Sequence, residues 1–310
     1  RSRGLGDVYK RQQYIVGFYY NRDSAIDSPD DEKAFYWLKL AAEQGHCEAQ
    51  YSLGQKYTED KSRHKDNEHA IFWLKKAALQ GHTFASNALG WILDRGEDPN
   101  YKEAVVWYQI AAESGMSYAQ NNLGWMYRNG NGVAKDYALA FFWYKQAALQ
   151  GHSDAQNNLA DLYEDGKGVA QNETLAAFWY LKSAQQGNRH AQFQIAWDYN
   201  AGEGVDQDYK QAMYWYLKAA AQGSVGAYVN IGYMYKHGQG VEKDYQAAFE
   251  WFTKAAECND ATAWYNLAIM YHYGEGRPVD LRQALDLYRK VQSSGTRDVS
   301  QEIRETEDLL

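Results

Sequence analysis

This 310-residue chain is poor in several residue types, and each shortage excludes something. Three prolines leave few helix breakers, and two cysteines, Cys47 and Cys258, cannot build a disulfide framework. No run approaches eighteen apolar residues and the mean hydropathy is −0.71, which excludes a membrane-spanning helix. Basic residues do not predominate. The balance of 32 Lys and Arg against 40 Asp and Glu gives −8, which disfavours a nucleic-acid phosphate backbone as the main partner. No HExxH, GxSxG or Walker sequence occurs, and the GxG pairs lack the preceding strand that a dinucleotide fingerprint requires. The expectation is therefore no catalytic set, no cofactor and no metal. What the chain has in excess is aromatic rings: 27 Tyr, 11 Trp and 10 Phe.

The rings recur with a period. Trp37, Trp73, Trp107, Trp143, Trp179, Trp215 and Trp251 follow one another at steps of 36 residues, with one step of 34. Three residues before each stands Ala, from Ala34 to Ala248, with Ala284 continuing the series. Self-similarity at this period marks a solenoid, in which each unit buries its apolar face only against its neighbours. In residues 116–151, Ala119, Leu123 and Tyr127 form one helical stripe, called helix A. A glycine-rich loop follows, and Ala140, Trp143, Tyr144 and Ala147 form a second stripe, helix B, which ends at Gly151. Each unit therefore reads as a helical hairpin.

The punctuation is equally regular. Helix B is preceded in every unit by Asp or Asn (Asp30, Asp66, Asn100, Asp136, Asn172, Asp208, Asp244 and Asp280), which predicts an N-cap. It is followed by Gly45, Gly81, Gly115, Gly151, Gly187, Gly223, Asn259 or Gly295, which predicts a left-handed stop. The residue after the helix A Leu is always small, as in Gly54, Gly124 and Ala160, and predicts that another backbone crosses there. The helix B Trp residues, sharing a face with Ala, are expected in the core. His46, His82 and His152 each follow a helix-stop Gly and read as turn residues, not as metal ligands.

LGxxYxxGxGVxxD followed by AxxWYxKAAxxG, carried by Leu123, Gly124, Tyr127, Gly130, Gly132, Val133, Asp136, Ala140, Trp143, Tyr144, Lys145, Ala147, Ala148 and Gly151, resembles the Sel-1-like repeat, a relative of the tetratricopeptide repeat. The likeness spans residues 13–295 as units 13–45 (truncated), 46–81, 82–115, 116–151, 152–187, 188–223, 224–259 and 260–295. It departs at EDKSRHKD, at the two-residue deletion near Gly96, and at GEGRPVD, where local loop shape is in doubt. The resemblance implies an all-α, right-handed α-solenoid that serves as a scaffold or adaptor for a protein or peptide partner. Two alternatives follow from it: a cell-envelope component that binds glycan or peptidoglycan, and a penicillin-interactive hydrolase. Residues 296–310 read as a capping helix or the start of a further repeat. RSRGLGDVYKRQ resembles a translated sequencing adaptor, so residues 1–12 are set aside as adaptor-derived or disordered. The native N-terminus is then expected to be missing. That leaves the compartment open between cytoplasm and periplasm or exterior.

A candidate binding face follows from the helical wheel. Trp125 points away from the core stripe of its helix, and the equivalent or adjoining positions hold Phe84, Trp91, Tyr118, Phe193, Trp197 and Tyr233. The resemblance implies that helix A lines a concave side, where such rings would form a groove; alternatively they pack between repeats. Asn122, Asn158, Asn230 and Asn266 recur at the edge of the same face. They read either as bonds to the neighbouring hairpin or as an amide ladder for a bound peptide. Asp154, Asp161, Glu164 and Asp198 read as a solvated surface or as acidic specificity in the groove.

Overall fold

The computed structural model describes residues 2–22, 29–59, 64–96 and 98–310. Among them every regular element is helical, and the chain forms two compact units, residues 1–152 and 153–310. The first unit holds α1 (Ser2–Arg22), α2 (Pro29–Glu43), α3 (Cys47–Lys56), α4 (Asn67–Ala78), α5 (Thr83–Arg95), α6 (Tyr101–Glu113), α7 (Ser117–Asn129) and α8 (Tyr137–Leu149). The second holds α9 (Ser153–Asp165), α10 (Glu173–Gln185), α11 (Arg189–Ala201), α12 (Tyr209–Ala221), α13 (Val225–His237), α14 (Tyr245–Glu257), α15 (Ala261–Tyr273), α16 (Leu281–Ser294) and α17 (Ser300–Asp308). Odd and even helices pair as hairpins, and within each unit every hairpin packs on the next. The chain is thus an α-solenoid of eight hairpin repeats. Residues 2–12 form the first half of α1. At the other end α17 takes hydrogen bonds from α15, Tyr265 Oη reaching Glu302 at 3.3 Å and His272 Nδ1 meeting Thr306 at 3.1 Å.

The periodic punctuation does what its chemistry predicts. Asp66, Asn100, Asp136, Asn172, Asp208, Asp244 and Asp280 each cap helix B, their side-chain oxygens accepting the amide three residues on. Asp30 differs. Proline is pre-organised for the first helical position, so α2 begins at Pro29 and Asp30 lies inside its first turn, where a negative charge still favours the helix N-terminus. Asn259, with φ 61°, is the sole non-glycine residue at positive φ among the described residues, and it replaces the glycine stop as expected. Asp244→Ala is expected to cost about 1 kcal/mol, read as a lower urea midpoint with an unchanged slope, because a terminal amide of α14 loses its acceptor.

The loop departures have visible effects. With no glycine to end it, α3 stops at Lys56, three residues earlier in register than its counterparts. Residues 60–63 and 97, in the two irregular loops, lie outside the described residues. Elsewhere the second loop glycine has a steric role: a Cβ on Gly132 would lie 2.4 Å from the Tyr101 carbonyl, and one on Gly204 would lie 2.2 Å from the Glu173 oxygen. The GxG loop of each such hairpin is therefore pressed onto the start of helix B in the preceding hairpin.

The core corrects two expectations. The innermost ring is not the recurring Trp but the residue after it: Tyr108, Tyr144, Tyr180, Tyr216, Phe252 and Tyr288 are fully buried. Trp73, Trp107 and Trp215 are buried less deeply, while Trp37, Trp143, Trp179 and Trp251 are half-buried. The small residue on helix A accommodates that ring, not a crossing backbone. A Cβ on Gly124 would lie 2.7 Å from Tyr144 Cδ1, and one on Gly90 would lie 2.7 Å from Tyr108 Cδ1.

Neighbouring hairpins are also joined by buried amides. Gln50 Nε2 donates to the Ala42 carbonyl of the preceding hairpin at 3.0 Å, Gln120 to Ala112 at 3.1 Å and Gln192 to Ala184 at 3.2 Å. Each of these glutamines in turn accepts from the glutamine that follows helix B of its own hairpin: Gln80, Gln150 and Gln222.

Candidate partner-binding face

The helix A face presents most of its aromatic residues to solvent. In the first unit Phe84, Trp91, Tyr118 and Trp125 are exposed; in the second, Trp197 and Tyr233. Each sits one residue before a buried position, in turn Ala85, Ile92, Ala119, Met126, Asp198 and Met234, so the wheel turns it outward while its successor turns inward. Trp91 and Trp125 are brought to neighbouring depressions that share Arg95 and Gly96. The Trp91 depression is about 180 Å³ and includes Thr58, Lys65 and Asn67; that of Trp125 is about 540 Å³ and includes Asp94, Asn121 and Asn122. The Arg95 guanidinium lies 5.3 Å from the Trp91 ring centroid.

Other members of the row are engaged between hairpins. The ring of Phe84 is 6.4 Å from Tyr51 and 6.2 Å from His82, and Tyr118 meets His152 edge-on at 4.6 Å. Phe193 is half-buried, 5.7 Å from Tyr216 and laid over Gly226, where a Cβ would approach its ring to 2.9 Å. It belongs with the packing between repeats more than with an open face. All four asparagines are half-buried. Asn122 donates to Asn87 of the preceding hairpin at 3.3 Å, whereas Asn266 donates to the Thr262 carbonyl of its own helix.

The acidic residues are not one solvated surface. Asp154 is exposed, but Tyr180 Oη donates to both Asp161 (2.9 Å) and Glu164 (2.7 Å), and Asp198 is buried, at 5% exposure. Asp198 follows the outward-facing Trp197 and so occupies the inward register of Leu162 and Met234. Burial, then the negative charges of Glu164, Glu203 and Glu173, push its carboxyl up to about 8. Asp94, held by Tyr108 Oη at 2.7 Å, is also raised by burial.

Two features escaped the sequence. His46 and His82 are more than turn residues, since each Nδ1 accepts an amide of the following helix A, from Ala49 at 3.2 Å and Ala85 at 3.1 Å. Helix B also carries exposed rings beside its Trp: Tyr36, Phe72, Phe142, Phe178 and Tyr214. Lysines cover some of them, with Lys76 4.4 Å from the Phe72 centroid and Lys218 5.6 Å from that of Tyr214. A hydrophobic residue directly before the Trp was the available signal. Cys47 and Cys258 are free thiols. Among the described residues no three His, Cys, Asp or Glu side chains converge as a metal site, and no helix is long and apolar enough to cross a membrane.

Comparison with known proteins agrees with this architecture. The Sel1 repeat model matches residues 13–46, 47–82, 83–116, 117–152, 153–188, 189–224, 225–260 and 261–290. A stretch of 124 residues, 40% of the chain, is 99% identical to the Sel1-repeat-containing protein YbeQ of Escherichia coli K12 and spans 38% of that protein. Among solved structures, a protective antigen present in uropathogenic E. coli strains, with an SLR fold, is 35% identical over 92% of the chain with a TM-score of 0.86. The chain spans 62% of that antigen. A repeat protein from Oxalobacter formigenes is 29% identical, with a TM-score of 0.72, over 98% of this chain and 89% of its own.

Proposed function

The chain belongs to the Sel1 repeat family, and from that premise we propose that it is a non-enzymatic adaptor that binds a polypeptide segment along the helix A face. The fold is typical of protein–protein interaction scaffolds. The observation that carries the finer reading is the pair Trp91 and Trp125, exposed, one hairpin apart, each lining a depression edged by Arg95. Exposed Trp rings flanked by Arg and amides are the residue types that dominate binding energy when covered. The polar lining from Asn121, Asn122 and Asp94 supplies donors and acceptors for a peptide backbone.

A peptide-display library selected on the purified chain tests this. Selected peptides are expected to lose at least about tenfold in affinity to Trp91→Ala plus Trp125→Ala, with thermal stability kept, since both rings are exposed. Peptides that bind the double variant equally well overturn the reading. So does selective binding of peptidoglycan fragments in place of peptides.

A further inference from the structure

Where the end of α9, the start of α10 and α11 meet, the second unit holds a small acidic slot of about 90 Å³, lined by Glu164, Gln171, Glu173, Ala176, Asp198 and Glu203. Gln171, Glu173 and Glu203 form an exposed rim and Asp198 the buried floor. The Oδ2 of Asp198 is buried with no hydrogen-bond partner, as is the nearby Tyr216 Oη on α12. An unpaired buried carboxylate oxygen costs folding free energy, so its retention calls for a partner.

The repeats supply their own comparison. In the first unit Asp31 and Lys56 stand in the registers of Glu173 and Asp198, twenty-five residues apart in each case, and form a buried ion pair. In the second unit Lys236 and Glu275 stand in the registers of Glu164 and Glu203 and pair at 2.7 Å. Both slots are thus closed by a lysine ammonium of the chain itself. The slot at Asp198 has acids at all four positions and no base.

We infer that this slot binds an alkylammonium group, namely a lysine side chain presented by a polypeptide partner. Its volume suits an ammonium and a short stretch of methylenes. Glu173 and Glu203 on the rim, with Glu164 beside them, attract the cation and Asp198 receives it at the floor. Because burial, and then the charges of Glu164, Glu203 and Glu173, hold Asp198 protonated near neutrality, and Tyr216 faces it without charge, binding releases a proton and tightens as pH rises. The site is apart from the aromatic face, and it stands or falls without it.

The test is a calorimetric titration with N-acetyl-lysine methylamide, with the carboxyl carbon resonances of Asp198, Glu164, Glu173 and Glu203 followed in parallel. Saturable binding is expected, at least about tenfold weaker at pH 6.5 than at pH 8.5, lost in Asp198→Asn and kept in Asp154→Asn. The norleucine analogue, which lacks the ammonium, is expected not to bind. Equal binding by Asp198→Asn, or none by the parent chain, overturns the assignment. Magnesium titrating the same carbons more tightly overturns it in favour of a metal. Putrescine binding at least tenfold tighter than the lysine derivative overturns the polypeptide source in favour of a free amine.

Discussion

Tyr108→Ala is expected to lower the stability of the first unit by about 3–5 kcal/mol, read as a fall in the urea midpoint of that unit. The ring is fully buried and pressed onto Gly90 of the partner helix, so its removal leaves a cavity in the centre of the hairpin. A second loss adds to the cavity, because Tyr108 Oη donates to Asp94, whose side chain is itself buried. Tyr108→Phe separates the two contributions. It keeps the packing and is expected to cost about 1.5–3 kcal/mol, the value of a hydrogen bond to a charged group. Equal losses in both variants would show that the ring contributes nothing beyond its hydroxyl.

Asp198→Met is expected to act in the opposite direction and to stabilise the second unit. Methionine or leucine occupies this register at Met126, Leu162, Met234 and Met270, each buried, so the site accepts an apolar side chain of that size. In the parent chain the folded state holds the Asp198 proton up to about pH 8, while the unfolded chain releases it near the ordinary aspartate value. The folded state therefore binds more protons between those limits, and stability falls as pH rises through that window. At one pH unit per 1.4 kcal/mol the cost at pH 7 is on the order of 4 kcal/mol. The variant is expected to be more stable by that order at pH 7 and above, with the advantage shrinking toward pH 4. Thermal melts across pH 4–9 measure it, and a parent chain whose melting temperature is flat over this range would refute it.

The repeat, its caps and its stops were legible because each rests on one residue type with one backbone job, copied at a fixed spacing. The order of depth within helix B was not. Trp and the Tyr after it are 100° apart on the wheel, and a helix packed on two sides buries both arcs, so sequence periodicity cannot rank them. Only the small residue opposite, on helix A, marks the deeper ring. Asp198 was hidden by its charge, since an acidic residue on an amphipathic helix reads as solvated; the register it shares with Met126 and Leu162 was the signal against that reading. The glutamine junctions were visible in principle. Where helix A carries Gln50, Gln120, Gln156 or Gln192, helix B is followed by Gln80, Gln150, Gln186 or Gln222, and where it carries Ser86, Tyr228 or Trp264 the later residue is Ser114, Cys258 or Ser294; the first hairpin departs, with Tyr14 and Gln44. For the aromatic face, the wheel located the exposed rings, but tertiary contacts alone distinguish Phe193, locked over Gly226, from the open Trp125.

That covariation bears on how such arrays lengthen. Both members of each glutamine pair lie inside one hairpin, and the acceptor they need is a backbone carbonyl that any preceding hairpin offers. A duplicated stretch of DNA that begins and ends between hairpins therefore carries a complete junction with it, and the new copy needs no adjustment from its host. The acidic slot follows another rule. Its four carboxylates come from two successive hairpins, so an insertion between them would separate Glu164 and Glu173 from Asp198 and Glu203. The buried pairs Asp31–Lys56 and Lys236–Glu275 also cross hairpin boundaries, so at these places the identity of the neighbours fixes their order in the gene.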